Sequence, residues 1–139
     1  MTEAMSRCEK LERWADLLEC EPAAKLRPFY DLELLPGTEW AELQTPNSPL
    51  AVAYADPVLR RAGLVSDRLG DGNAFFGLSR FQAHRVLCSC GYIGTMRASE
   101  VARRIRKLAR RERLRAEWQP ANPLPGLARW LFGRWQPAA

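Results

Sequence analysis

Residues 97–118 read RASEVARRIRKLARRERLRAEW, and the spacing of their apolar positions decides the fold class. At 100° per residue, Val101, Ala102, Ile105, Leu108 and Ala109 fall within an arc of roughly 120°, the width of a stripe that packs on a core. The segment is therefore expected to be one long amphipathic helix. Arg103, Arg104, Arg106, Lys107, Arg110, Arg111 and Arg113 take the rest of the circumference, and Arg103, Lys107, Arg111 and Arg115 stack at four-residue steps. Like charges at that spacing destabilise a helix by roughly a few tenths of a kcal/mol per pair. Nine bases stand here against three acids, so the helix wants a counter-charge.

Two sources can supply it. Residues 1–70 hold 8 Lys+Arg against 12 Asp+Glu, net −4, whereas residues 71–139 hold 13 against 4, net +9. The acids Glu9, Glu12, Asp16, Glu19 and Glu21 could neutralise the helix from within the chain. An external acidic partner could do so instead, nucleic acid before acidic protein, engaged by Arg103, Arg104, Lys107, Arg110, Arg111 and Arg115. Only Lys10, Lys25 and Lys107 are lysine, and arginine is the better bidentate partner for phosphate or carboxylate.

Working back from this helix, the chain reads as short helices. Ser6 is an N-cap for a helix to about Glu21 that presents Leu11, Trp14, Ala15 and Leu18 on one face. Pro22 can open a second helix carrying Leu26, Phe29, Tyr30 and Leu34, kinked at Pro28 and ended by Pro36-Gly37. Thr38 caps a short helix over Glu39–Gln44. Ser48-Pro49 and Asp56-Pro57 each place a capping side chain before proline at the first helical position. Ser66 caps a helix from Asp67 to Phe76, weakened by Gly70 and Gly72 and stopped by Gly77. Ser79 caps a helix from Arg80 to about Cys90, and 91–95 is a loop. The fold class is all-α: an irregular bundle of short helices, one long arginine-rich helix over about 97–118, and a Pro/Trp-rich tail.

A chain of 139 residues with 47% hydrophobic and 27% charged residues has the composition of one folded domain, here 1–119, followed by a basic-aromatic arm, 120–139. Trp118, Trp130, Phe132 and Trp135 are candidate partner anchors there, and the arm's composition also allows peripheral membrane contact. Leu127, Trp130 and Leu131 could equally fold back on the core. The charged amino terminus resembles no secretory signal and no apolar run approaches 20 residues, so a cytoplasmic protein without a membrane span is expected. Its four cysteines are then expected to be thiols.

His84 precedes Cys88 by four residues, which places both on one helix face. Continued along the same wheel, Cys90 falls with Val86 and Leu87 on the apolar face, leaving Cys88 as the candidate thiol. Further metal ligands would come from Cys8 or Cys20, but the spacing matches no standard zinc pattern and no metal or cofactor follows from it. Walker, dinucleotide-glycine, Gly-x-Ser-x-Gly and His-Glu-x-x-His motifs are absent, so the reading leans against an enzyme, with His84 and Cys88 as the one candidate catalytic pair, an imidazole-activated thiolate suited to nucleophilic or redox chemistry. Arg80–Cys90 followed by the basic helix has the outline of a helix-turn-helix, but the connection is too long. The leading reading is a small non-enzymatic accessory or regulatory protein that binds nucleic acid through the arginine helix. Alternatives are a protein-interaction module, inhibitor or adaptor, using the aromatic tail, and a thiol or metal site on His84 and Cys88.

Overall fold

The computed structural model describes residues 4–30 and 37–118. The expected tail, the 119/120 domain boundary, Leu34, Trp130, Phe132 and Trp135 lie outside the described residues. Seven α-helices form among the described residues: α1 (Arg7–Glu19), α2 (Gly37–Glu42), α3 (Pro49–Tyr54), α4 (Pro57–Arg61), α5 (Leu69–Phe76), α6 (Arg80–Leu87) and α7 (Ala98–Trp118). None is long and apolar enough to cross a membrane.

Helix α1 begins where Ser6 and Glu9 form a reciprocal capping box, which satisfies two backbone amides that the first turn leaves without partners. Its Leu11, Trp14, Ala15 and Leu18 are buried, as the periodicity requires. Trp14 stacks on Phe76 with ring centroids 4.1 Å apart, and its indole N–H donates to the Pro49 carbonyl at 2.9 Å. The largest helix contact is α1 against α7, over a seam of Val101, Ala102, Ile105 and Ala109. Alanine at two of these positions lets the axes approach. Full burial of a side chain such as Ile105 contributes about 1.5–3 kcal/mol.

Ser48 and Asp56 cap α3 and α4 as expected, with proline at the first position of each helix. Asp56 is buried and also accepts two hydrogen bonds from Arg13, at 2.9 and 3.0 Å, which ties α4 to α1. Those bonds hold the Asp56 carboxyl below its usual range. In α5, Gly72 packs against Leu50 where a Cβ would have no room, so the glycine that lowers helix propensity is there for close approach.

Three expectations are corrected. The helix from Pro22 does not form. Residues 25–26 make a two-residue strand, β1 (Lys25–Leu26), antiparallel to β2 (Met96–Arg97), and Phe29 forms a parallel bridge with Cys88. Pro28 cannot donate a helical hydrogen bond and disfavours helical geometry at Arg27, whose amide goes to Asn47 instead. The second correction is at α5, which starts at Leu69 rather than after Ser66; the Ser66 hydroxyl accepts from the Arg68 amide and donates to Asp71. The third correction is the end of α6, at Leu87 rather than Cys90.

Candidate metal centre at the end of helix six

Helix α6 opens with a second capping box, Ser79 with Gln82, and closes abruptly. Cys88 has extended backbone geometry (φ −87°, ψ 143°), and residues Ser89–Gly91 form a single 3-10 turn. The sequence Cys-Ser-Cys-Gly has weak helix propensity, and long-range partners take over the carbonyls that the last helical turn leaves open. The Arg104 guanidinium donates to the Arg85 carbonyl at 2.7 Å and the buried Tyr92 hydroxyl donates to Val86 at 2.6 Å. The Phe29 amide donates to the Leu87 carbonyl at 2.8 Å, whereas the His84 carbonyl keeps the ordinary helical bond, accepting from the Cys88 amide at 3.1 Å. Ser89 returns an amide to the Phe29 carbonyl at 3.0 Å. Burial raises the Tyr92 hydroxyl's pKa, so it stays a donor across the physiological range.

Gly91 belongs to this lock. A Cβ at that position would lie 2.9 Å from the Arg85 carbonyl oxygen and 3.0 Å from the Arg104 guanidinium. Arg104 itself lies over the Tyr92 ring, 3.9 Å from its centroid. The turn after α6 is thus held by α7 on one side and by the chain at Phe29 on the other.

On that turn, donor atoms of His84, Cys88 and Cys90 all lie within 4.8 Å of one another. The Cys88 and Cys90 sulfurs are 2.8 Å apart, and Cys90 Sγ is 3.0 Å from His84 Nε2. Cys88 is buried at 2% exposure, His84 is half-buried and Cys90 is exposed. The wheel reading of the cysteines is therefore inverted: Cys90 is the accessible thiol next to the imidazole, and Cys88 is the buried one. Extending a 100° period past Leu87 turned each residue to the wrong side. The signal that could have found this is the weak-helix run ending in Gly91.

Cys8 and Cys20 do not join the cluster. Cys8 packs between α1 and α7 with its sulfur 3.6 Å from the Ala109 carbonyl, and Cys20 bonds the Asp16 carbonyl.

Of the six expected basic ligands, Arg103 and Arg104 have an acidic partner and the other four have none among the described residues, while Arg106 and Arg113, outside that set, are also paired. Arg103 and Arg104 both pair with Glu100, Arg103 with its side chain largely exposed. Arg106 pairs with Asp16 at 2.6 Å and Glu19 at 2.7 Å, Arg113 pairs with Glu12, and Glu112 takes Arg7 at 2.7 Å. These contacts hold the Glu19 and Glu100 carboxyls below their ordinary range, through hydrogen bonds from Arg106 and Arg103 respectively. Lys107, Arg110, Arg111 and Arg115 have no acidic partner among the described residues. Trp118 is exposed at the end of α7. The helix-turn-helix outline fails here too, because residues 88–97 separate α6 from α7. No family model, curated protein or solved structure matches the chain.

Proposed function

We propose that the protein is a non-catalytic helical module whose His84–Cys88–Cys90 turn binds a thiophilic metal ion, zinc above all. The observation that carries this reading is the convergence of one imidazole and two thiol donors within 4.8 Å on a rigidly held turn. Zinc takes sulfur ligands at about 2.3 Å and imidazole nitrogen at about 2.0–2.1 Å, with a fourth position left for another donor or water. Two sulfurs on one zinc would stand about 1 Å further apart than they do here, a shift within reach of a rotamer adjustment at exposed Cys90.

Position favours a cation over a free reactive thiolate. Reactive cysteines are commonly placed at helix N-termini, where the backbone dipole favours negative charge. This turn lies at the C-terminus of α6, where the dipole opposes a bare thiolate and welcomes a cation. Two thiolates and one divalent ion make a neutral unit in that place. The nucleic-acid reading of the arginine helix draws less support, since two of its six expected contacts, Arg103 and Arg104, already pair with Glu100 of the same helix.

Cobalt titration of the reduced, full-length protein under anaerobic conditions tests this. One Co²⁺ per chain is expected, with thiolate-to-cobalt charge-transfer absorption that Cys90→Ser diminishes and the Cys8→Ser/Cys20→Ser double variant leaves unchanged. Absence of that band in a folded sample would refute the metal reading. A chain that binds no cobalt but, given oxidised glutathione as the two-electron acceptor, yields a product two hydrogens lighter with Cys88 bonded to Cys90 and two equivalents of reduced glutathione would make the turn a dithiol switch.

A further inference from the structure

Helices α6 and α7 line an open cleft of about 150 Å³ on the α6 side of α7. Its floor is apolar, made by Val86 and Leu108, with the exposed ring of Phe81 at one wall. Arg85, Lys107 and Arg111 line it, and no carboxylate does. None of these three cations has an acidic partner among the described residues. Lys107 and Arg111 are four residues apart on one helix, so their mutual repulsion is left unrelieved. The other flank of the same helix is different: Arg106 and Arg113 are both paired.

From this contrast we infer that the cleft binds a nucleotide, its base against Phe81 and Leu108 and its phosphate among Arg85, Lys107 and Arg111. The cleft is open, so a flat ring can lie on its apolar part while the phosphate stays at the cationic side chains that border it. A phosphate offers three acceptor oxygens and up to two negative charges, enough to satisfy a fork-shaped guanidinium and a lysine ammonium together, whereas one carboxylate would leave cations over. The Arg85 guanidinium already lies 5.8 Å from the Phe81 ring centroid, so a base stacking on that ring would meet both an aromatic face and a cation. The nucleotide could be free or one residue of a single strand, and both present the same chemistry to the cleft.

The test is isothermal titration of the full chain with adenosine 5′-monophosphate, adenosine, inorganic phosphate and a single-stranded hexanucleotide. Saturable binding of the monophosphate at least about tenfold tighter than of adenosine or phosphate alone is expected, weakening as salt rises. Lys107→Ala/Arg111→Ala should cost about tenfold or more in affinity, while Arg106→Ala, on the paired flank, should leave it unchanged. A hexanucleotide bound much more tightly than the monophosphate, and lost in the same double variant, would assign the cleft to a strand; equal affinities would assign it to the free nucleotide. No preference for the monophosphate over its two parts, or full affinity in a correctly folded double variant, would overturn the inference.

Discussion

The two flanks of α7 carry similar side chains and meet different fates. Toward α1, Arg106 and Arg113 reach Asp16, Glu19 and Glu12 across the seam, so cations from one half of the chain are neutralised by acids of the other. Toward α6, Arg104 is spent on the carbonyl end of that helix, and Lys107 and Arg111 line a cleft with no acid in it. The lesson is that a charge run is not one object. Its role changes with helical angle, and here a rotation of roughly 100–160° separates ion pairs that serve the fold from cations that remain available.

This contrast can be attacked first at the apolar seam, where the effect is largest. Ile105→Ala should lower unfolding free energy by about 3 kcal/mol in urea titrations, because Ile105 is fully buried between the helices. A loss below about 1 kcal/mol would show that α1 and α7 are not packed as described.

Next in size is the lock on the α6 side. Gly91→Ala places a methyl against the Arg85 carbonyl and the Arg104 guanidinium, an overpacking expected to cost about 2 kcal/mol. It should also weaken cobalt binding, since the turn that carries Cys88 and Cys90 must move. Stability and cobalt affinity both equal to wild type would mean that the turn is not held by Arg104.

The ion pairs come third. Arg106→Ala should cost at most about 1 kcal/mol near neutral pH, as its partners are half exposed and screened by solvent. Its pH dependence has a definite sign. The Glu19 carboxyl titrates lower in the folded chain than its ordinary value, so the pair's contribution is complete above the unfolded value and fades as pH falls through the lowered folded one. The difference between wild type and Arg106→Ala, followed by chemical denaturation, should accordingly be flat from neutral to mildly acidic pH and shrink in strong acid. A difference that grows on acidification would contradict the pairing.

The smallest effect belongs to the unpaired flank. Lys107→Ala should leave stability unchanged or slightly higher, with the sign of the change reversed relative to Arg106→Ala in the same thermal-melt series. A clear loss of stability there would reveal a partner for Lys107.

Much of this arrangement is legible in the residues. Four of the five residues in the expected arc, Val101, Ala102, Ile105 and Ala109, are buried in α7, while Leu108 at its edge is half-buried and lines the cleft, and the caps at Ser6, Ser48, Asp56 and Ser79 all accept the amides that their position implies. These are local signals, fixed by periodicity and by side chains within three residues. What stays hidden is non-local. Nothing near Cys88 in sequence announces that Phe29 will bridge to it, that Arg104 will cap Arg85, or that the last helical turn will give way to a 3-10 turn. Cys90 was hidden for the same reason. The acids of α1 were a visible counter-charge, but which arginines they reach depends on the angle at which the two helices pack.

The most direct test of the metal centre is thermal unfolding of the reduced full-length chain with and without zinc, beside Cys90→Ser. Because an ion that binds only the folded state stabilises it by RT ln(1 + [L]/Kd), zinc at about one hundred times its dissociation constant should add about 2.7 kcal/mol and raise the wild-type melting temperature by several degrees. Cys90→Ser, altered at an exposed position, should melt near the wild-type temperature without zinc and gain much less with it. Identical zinc responses in the two proteins, or none in either, would contradict a metal site at His84, Cys88 and Cys90.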